Sequence, residues 1–232
     1  MEDKRLIYTK NLIKDYAIGG GYFRALKDIN IAFDEGEFAG LVGPSGSGKT
    51  TLLNIIGALD NPTQGSAVVL GRQVENLTQK EAANLRNQYL GFIFQTYNLL
   101  PVYTVYENVE FPLLLLRRGD EERKKAVMES LEWVGLTDKV NSRPSQLSGG
   151  EAQRVAIARA MVKHPKLVLA DEPTANLDAE NSHNILKMMQ RLNEELKTTF
   201  LFATHDSKVI SYLKRKITLT DGRITEDSGA QK

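Results

Sequence analysis

The chain has 232 residues, of which 41% are hydrophobic and 25% charged, and this length suffices to bury a sizeable core in one large domain or two small ones. Its 30 basic and 29 acidic side chains leave a formal net charge of +1, which excludes a bulk electrostatic attraction to nucleic acid or to an anionic membrane, and we expect no nucleic-acid partner. Cysteine is absent, which excludes disulfides and thiolate metal sites and fits a reducing compartment.

The N-terminus reads Met-Glu-Asp-Lys-Arg and has no apolar stretch behind it, so no secretory signal is predicted. No run approaches the roughly 18 to 20 apolar residues that are needed to span a bilayer. A role at a membrane would therefore require another protein to hold the chain there.

Seven short apolar segments are predicted to be β-strands. Residues 38–42, 167–170 and 200–203 are continuously apolar, which is typical of central parallel strands covered on both faces. Glycines indicate that the N- and C-terminal strands form short antiparallel hairpins. Gly19-Gly20-Gly21 and the tail after Asp227 are predicted to be flexible. The strand segments are 30–33, 38–42, 67–70, 91–94, 166–170, 199–203 and 217–220, and the glycines that separate the hairpins are Gly36, Gly65, Gly71 and Gly222.

The strand signals vanish between about residue 96 and residue 160. There Asp120 is predicted to cap a helix, its apolar residues Val127, Leu131 and Val134 recur at i, i+4 and i+7, and Gly135 is predicted to end it. We therefore predict an α/β fold with a helical subdomain at approximately 96–160. It would be inserted into a core formed by residues 1–95 and 161–232.

The most specific motif is an octet that matches the phosphate-binding loop G-x-x-x-x-G-K-[ST]. Its glycines let the backbone turn its N–H groups inward toward phosphate oxygens at the start of a helix. Lys49 then reaches the β- and γ-phosphates, and the Thr50 hydroxyl ligates Mg²⁺. An ordinary Gly/Ser turn is disfavoured because an apolar strand precedes the motif and an apolar helix start follows it. The predicted nucleotide-binding residues are Gly43, Pro44, Ser45, Gly46, Ser47, Gly48, Lys49, Thr50 and Thr51.

A second candidate site lies at the end of the apolar segment 167–170, which is followed by Asp171 and Glu172. Ligands of open α/β sheets lie at the carboxyl ends of the strands, so both acids are predicted to face the phosphates. Asp171 suits a contact to Mg²⁺ and Glu172 a general base that orients an attacking water. Alone, the pair would be weak evidence, because acids often begin turns.

A third motif, Leu147-Ser148-Gly149-Gly150-Glu151, precedes an Ala-rich helical segment. Ser148 and the two glycines would present a bare helix N-terminus, which is a second anion site. A capped helix after a flexible turn is the plainer alternative. Together with the phosphate-binding loop, this motif resembles the signature of the ABC ATPases.

The resemblance to ABC-transporter nucleotide-binding subunits covers nearly the whole chain. It implies a single P-loop NTPase domain of the ABC type, with a mixed sheet core, an antiparallel β portion and the helical subdomain. It further implies that the protein is an ATPase that uses ATP and Mg²⁺, forms a head-to-tail homodimer on ATP binding and works with separately encoded membrane-spanning permease subunits. The expected location is the cytoplasm, at the inner face of the cell membrane.

The same resemblance assigns roles to individual residues. It implies that Tyr16 stacks on adenine, with Tyr22 as the alternative, and that Gln95 senses Mg²⁺ and the γ-phosphate. His205 resembles the switch histidine, and Asp178 the acid of the loop that crosses between subunits. Residues 148–150 of one chain are expected to cover the γ-phosphate of the other.

Two positions depart from the family pattern. Ala152 stands where many relatives have Gln, and Ala175 stands where the nearest relatives usually have Gly. Neither residue supplies a reacting atom, so we expect these departures to have at most modest effects on activity. Residues 106–119 resemble the exporters that serve lipoprotein release and macrolide or peptide efflux. A non-transport ABC ATPase is disfavoured because the chain has no room for a coiled-coil insertion or a second ATPase unit. A regulator that binds ATP without hydrolysing it is disfavoured by Glu172 and His205.

Overall fold

Two β-sheets form the framework of the protein, whose computed structural model describes residues 5–229. One sheet has six strands and the other four. The strands are β1 (Arg5–Ile18), β2 (Gly21–Asp34), β3 (Phe38–Val42), β4 (Gln64–Val69), β5 (Arg72–Gln73), β6 (Leu90–Ile93), β7 (Leu167–Asp171), β8 (Thr199–Thr204), β9 (Arg215–Thr220) and β10 (Arg223–Asp227).

The six-stranded sheet has the order β10-β9-β3-β8-β7-β6. All its neighbouring strands run parallel except β10, which pairs antiparallel with β9. Its central strands β3, β7 and β8 are buried almost throughout, as expected for strands covered on both faces. The predicted central parallel strands and the α/β fold with an antiparallel portion are therefore confirmed.

The four-stranded sheet is antiparallel and has the order β2-β1-β4-β5. Gly19 and Gly20 form the turn between β1 and β2, with φ of 48° and 90°, and Gly21 already begins β2. A tight turn of this kind needs residues that adopt positive φ, and the flexibility of the glycine triplet stays a prediction.

The predicted hairpins are confirmed at Gly71, between β4 and β5, and at Gly222, between β9 and β10. The predicted hairpins are wrong at Gly36 and Gly65. Gly36 separates β2 from β3, which belong to different sheets. Gly65 lies inside β4, where a Cβ would come within 2.2 Å of the Asn11 carbonyl oxygen, so it permits a close approach of two strands rather than a turn.

The tail after Asp227 is in part ordered by hydrogen bonds to β9. The Ser228 amide donates to the Lys216 carbonyl, and the Lys216 amide donates to Ser228 Oγ, both over 2.9 Å. The prediction of flexibility is therefore wrong for residues 228–229, and residues 230–232 lie outside the described residues.

Seven helices accompany the sheets within residues 5–229, and none is both long and apolar enough to cross a membrane. Three of them lie between β6 and β7, in a stretch with no strand. The division into a core and a helical subdomain at these boundaries stays a prediction. The helices are α1 (Lys49–Ile56), α2 (Gln79–Tyr89), α3 (Val105–Leu115), α4 (Asp120–Trp133), α5 (Gly149–Met161), α6 (Ala179–Leu196) and α7 (Ser207–Tyr212).

Helix α4 follows the predicted pattern except at its start. Val127, Leu131 and Val134 are buried, and Gly135 follows the helix with φ of 66°, so this burial pattern and this end are confirmed. The N-cap is Gly119 and not Asp120. Asp120 is instead the first helical residue and pairs with Arg123 at 2.7 Å, because an acid is also favourable inside the first turn of a helix.

The parallel sheet has an apolar cluster on each face because side chains alternate along its strands. Leu41 and Leu201 pack toward α1 and the antiparallel sheet. Phe38, Phe200 and Phe202 pack on the opposite side among residues of the long helices, and their ring centroids lie 4.8 to 6.2 Å apart. The sheet is thereby fixed between two layers, and so are the strand ends that carry the polar motifs.

Candidate active site

The carboxyl ends of β3, β7 and β8 meet at one edge of the parallel sheet. Val42 pairs with Thr204, and Asp171 with Ala203, so the residues that follow these strands come together, as expected for an open α/β sheet. A cavity of about 420 Å³ lies there. Its lining consists of Tyr16, Phe23, Ala25, Ser45, Gly46, Gly48, Lys49, Thr50, Thr51, Gln95, Asp171, Glu172 and His205.

The phosphate-binding loop joins β3 to α1 and forms one wall of this cavity. Gly48 is the N-cap of α1 with φ of 104°, and a Cβ there would lie 2.8 Å from the Ala25 carbonyl oxygen. No side chain caps the helix, so its first N–H groups remain available to an anion, and the helix dipole favours negative charge at this end. The remaining predicted loop residues, Gly43, Pro44 and Ser47, do not line the cavity.

Lys49 is nearly buried, with an exposed fraction of 7%. Its ammonium group donates to the carbonyl oxygens of Gly43 at 2.7 Å and Pro44 at 2.9 Å. Burial lowers the pKa of Lys49, and the charges of Glu172 and Asp171 oppose that shift. The loop thus holds a cation at the cavity wall, opposite two carboxylates.

Thr50 and Asp171 bring two oxygens together across the cavity. Thr50 Oγ1 donates to Asp171 Oδ1 over 3.3 Å. Burial raises the pKa of Asp171, while the Thr50 hydrogen bond lowers it and the Glu172 charge raises it. Mg²⁺ takes oxygen ligands and is commonly held by one or two carboxylates together with substrate phosphates, so this pair fits that ion. Within residues 5–229 there is no cluster of three His, Asp or Glu side chains that would form an all-protein metal site.

Both carboxylate oxygens of Glu172 have hydrogen-bond partners at the end of β8. One carboxylate oxygen lies 2.5 Å from His205 Nδ1 and accepts from the His205 amide at 3.1 Å. The other oxygen accepts from the Thr204 hydroxyl at 2.9 Å. The structure therefore brings Glu172 and His205 into direct contact. Sequence reasoning missed Thr204, and its position at the end of a buried strand next to His205 was the available signal.

Gln95 reaches the cavity from the loop that follows β6. The backbone carbonyl oxygen of Gln95 accepts a hydrogen bond from Asn176 Nδ2 over 2.9 Å. The loop after β6 is thereby tied to the loop that follows Glu172.

Two aromatic side chains, paired across the β1–β2 hairpin, lie at the outer part of the cavity. Tyr16 and Phe23 are register partners and both line the cavity. The Tyr16 hydroxyl donates to Asp60 at 3.0 Å, and burial raises its pKa. Tyr22 is 83% exposed and does not line the cavity, because neighbouring side chains of a strand point to opposite faces. Sequence reasoning missed Phe23, although its position beside Tyr22 in a strand was a signal.

The third motif does not reach the cavity of its own chain. Ser148 is the N-cap of α5: its hydroxyl accepts from the Glu151 amide at 3.3 Å, and the Glu151 carboxylate accepts from the Ser148 amide at 2.8 Å. The prediction of a bare helix N-terminus is wrong, and the spacing Ser-x-x-Glu was the signal for this capping box. Asp178 likewise caps α6, accepting from the Asn181 amide at 2.8 Å, and does not line the cavity.

Comparisons with known proteins agree with this geometry. Residues 26–175 match the model of a family described as ABC transporter. A dimeric structure of the ATP-binding cassette MJ0796 in a post-hydrolysis state, bound to ADP and Pi, has a TM-score of 0.89 and 41% identity over 97% of this chain and 99% of that chain. A second dimeric structure of MJ0796, described as a bacterial ABC transporter cassette, has a TM-score of 0.89 and 42% identity over the same shares of the two chains.

A more distant structure is cbiO1 from Clostridium perfringens, which is part of the ABC transporter complex cbiONQ. It has a TM-score of 0.87 and 28% identity over 97% of this chain and 88% of that chain. The family model spans well over half of the chain and includes the phosphate-binding loop, the Ser148 motif and Glu172. The chain belongs to the ABC transporter family.

Proposed function

We propose that this protein is the ATP-hydrolysing subunit of an ABC transporter and that the cavity at the edge of the parallel sheet is its ATP site. One observation carries the proposal. An uncapped helix start with Lys49, an oxygen pair suited to Mg²⁺ and a fixed carboxylate at Glu172 face the same cavity. These are the groups that phosphoryl transfer to water requires.

The phosphate-binding loop positions the substrate. Backbone N–H groups at the start of α1 and the ammonium group of Lys49 bind the β- and γ-phosphates of ATP. Tyr16 stacks on the adenine ring, and Phe23 extends the same aromatic surface. The aromatic pair and the phosphate loop thus hold opposite ends of the nucleotide.

Thr50, Asp171 and Gln95 hold Mg²⁺ together with the phosphates. The bound ion supplies neutralisation of the negative charge on the phosphate oxygens. Burial raises the pKa of Asp171, and a bound cation would oppose this shift by favouring the ionised carboxylate.

Glu172 is the general base. A water oxygen attacks the γ-phosphorus, the bond from that phosphorus to the bridging oxygen breaks, and Glu172 accepts a proton of the water, which leaves ADP and phosphate. His205 and Thr204 orient the carboxylate for this step through the hydrogen bonds described above. The intact pair of Glu172 and His205 argues against a regulator that only binds ATP.

The complete site requires a second copy of the chain. Residues 148–150 and Asp178 lie outside the cavity of their own chain, so their proposed roles can only be fulfilled opposite the cavity of a partner. A head-to-tail homodimer would place residues 148–150 of one chain over the γ-phosphate of the other. The dimeric structures of MJ0796 support this arrangement by similarity.

The transport role places the protein at the inner face of the cell membrane, bound to membrane-spanning permease subunits. The membership of cbiO1 in a transporter complex supports such a partner by similarity. Exposed apolar side chains on the helical segment, among them Val102, Leu114 and Leu115, offer a surface for it. By the resemblance of residues 106–119, we propose that the transporter exports or extracts a lipoprotein, peptide or macrolide.

ATP hydrolysis by a Glu172→Gln variant tests the proposal. The variant should bind ATP with unchanged affinity and lose about 10²- to 10⁴-fold in turnover, as is typical when a well-placed base is removed. Glu194→Gln is a matched control, because Glu194 is exposed and pairs only with Lys214 in the part of the chain that the structure describes. A Glu172→Gln rate within about twofold of the wild type would exclude Glu172 as the base.

A further inference from the structure

Arg159 joins helix α5 to the loop that carries Gln95. Its guanidinium group donates from Nη1 to the Asn98 carbonyl oxygen over 2.6 Å and from Nη2 to the Tyr97 carbonyl oxygen over 2.7 Å. These two carbonyls are consecutive, so the planar fork of the guanidinium binds the loop at two points and fixes its direction.

The environment of Arg159 is unusual for a cation. Burial lowers its pKa, and within residues 5–229 no carboxylate forms an ion pair with it. Arg159 is half-buried, and removing a charge even partly from water without an opposite charge costs free energy. The two carbonyl dipoles of the loop offset part of this cost, so the contact to the loop favours an arginine at this position.

The loop itself has a conformation that needs support. Tyr97 and Asn98 have φ of 60° and 50°, a left-handed conformation that asparagine tolerates but that is uncommon for tyrosine. Arg159 holds the carbonyl groups of both residues. The Tyr97 hydroxyl lies at the other end of α5, where it would be 3.0 Å from a Cβ on Gly149.

The held segment begins two residues after Gln95, whose side chain lines the cavity and whose carbonyl is bound by Asn176. We propose that Arg159 is a positioning residue that holds Gln95 in the ATP site through the backbone of Tyr97 and Asn98. The inference rests on the proposed function of Gln95. It also gives α5 a second role, because the helix that presents residues 148–150 to a partner would at the same time hold the Gln95 loop of its own site.

Arg159→Met tests the inference at the level of the loop. Hydrogen–deuterium exchange of the nucleotide-free protein should show faster exchange in the peptide that spans residues 95–98 and little change in α1. Turnover at saturating MgATP should fall roughly 10- to 100-fold, the scale of a displacement of about 1 Å in an active site. The KM for ATP should stay within about twofold, because Lys49 and the aromatic pair are untouched. Arg159→Lys, which retains a donor but not the fork, should recover part of the rate.

Two comparisons separate positioning from general stability. Arg191→Met is the matched control, because Arg191 also donates to a backbone carbonyl, that of Trp133 at 2.6 Å, and does not line the cavity. It should leave both turnover and exchange at residues 95–98 unchanged. The second comparison is a double-mutant cycle with Gln95→Ala. If Arg159 acts through Gln95, the turnover of the double variant should lie within about threefold of the turnover of the slower single variant.

The inference is overturned if the turnover of the double variant falls by the product of the two single reductions. It is also overturned if hydrogen–deuterium exchange at residues 95–98 is the same in Arg159→Met as in the wild type. If Arg159→Met does not fold, Arg159→Lys is measured in the same cycle and read by the same criterion. A wild-type rate in Gln95→Ala would overturn the inference and leave the ATPase proposal intact. A wild-type protein without ATPase activity would instead overturn the proposed function, while the exchange measurement would still decide whether Arg159 holds the loop.

Discussion

Lys49 shows how a single side chain links the loop to its ligand. Its ammonium group donates to two loop carbonyls, so one of its three N–H donors is left for a phosphate oxygen. A bound phosphate would compete for that cation with the two carboxylates opposite, whose charges already raise its pKa against the effect of burial. Lys49 therefore contributes to binding in the ground state and not only to turnover.

We expect Lys49→Ala to weaken ATP binding by about 10- to 100-fold, because a hydrogen bond to a charged group contributes about 1.5 to 3 kcal/mol. Equilibrium titration of the purified variant with ATP measures the effect. Lys187→Ala is the control, since Lys187 is exposed on α6. An unchanged affinity in Lys49→Ala would contradict the assignment of Lys49 to the phosphates.

Residues within a motif were predictable from the sequence, and residues that reach the site only through the tertiary structure were not. The octet around Lys49 and the acids at the end of β7 carry their chemistry in their spacing and in the strands that precede them. Phe23 and Thr204 belong to no motif, and their only signals in the sequence were their positions beside Tyr22 and His205. Phe23 enters the cavity because the register of β1 and β2 places it opposite Tyr16, and a register is not readable from one strand.

Helix α5 contacts two of the loops that carry site residues. Its N-terminus carries the Ser148 motif, and Gln153 Nε2 on a middle turn donates to the Pro173 carbonyl over 2.5 Å, directly after Glu172. Arg159 holds the Gln95 loop, and just beyond the helix Lys163 donates to the Arg86 carbonyl at 2.7 Å. A displacement of this one helix would therefore move several parts of the site together.

The Lys163 contact at the end of α5 predicts a pH dependence of stability. Burial lowers the pKa of Lys163 from 10.5 to about 8. Between about pH 8 and pH 10.5 the unfolded chain therefore keeps a proton that the folded chain has released, and the free energy of unfolding rises with pH across this window. Over the whole window the gain is about 3 kcal/mol, at about 1.4 kcal/mol per unit.

Denaturant unfolding of the wild type and of Lys163→Met, at pH 7.5 and at pH 10, measures this gain. The difference in unfolding free energy between the two proteins should shift by about 2 kcal/mol in favour of the wild type at the higher pH. Nearby charges such as Arg118 and Glu122 are present in both proteins and cancel in the difference. Lys166→Met, which removes an exposed lysine near Glu35, should show no such shift. If the difference in unfolding free energy between the wild type and Lys163→Met does not change with pH, burial does not lower the pKa of Lys163.

At the scale of elements, prediction succeeded where the pattern is continuous. Strands β3, β7 and β8 are uninterrupted apolar runs. Strand β1 has 14 residues but several shifts in its register with β2 and β4, and each such irregularity breaks the alternation that identifies a strand. Helix α6 was also not predicted, although its buried residues Ile185, Met189 and Leu192 are spaced as on one helix face.

At the scale of the whole molecule, the structure separates two halves of one proposed site. The phosphate loop and the acids face the cavity, while residues 148–150 and Asp178 lie at the starts of helices α5 and α6, outside the cavity of the same chain. Dimerisation is the step that would unite them. ATP would then stabilise the dimer by filling the space between the two chains, and hydrolysis would release it, which is how the chemistry would drive a membrane partner.

Gly149 allows this claim to be tested without touching the phosphate loop. A Cβ at position 149 would lie 3.0 Å from the Tyr97 hydroxyl, so any substitution presses on that flexible side chain. Gly149→Ala reproduces this contact without a charge and is therefore the control. Gly149→Asp adds a negative charge at the N-terminus of α5, which the proposed dimer places over the γ-phosphate of the other chain. The carboxylate and the phosphate would repel each other.

The most direct measurement is light scattering of Glu172→Gln protein with MgATP, alone and combined with each substitution at Gly149. We predict that Glu172→Gln and its Gly149→Ala derivative have the mass of two chains in MgATP and of one chain without it. The Gly149→Asp derivative should retain the ATP affinity of a single chain and remain at the mass of one chain. A Gly149→Asp derivative that dimerises normally with MgATP would contradict the shared site and leave a P-loop ATPase that acts within a single chain.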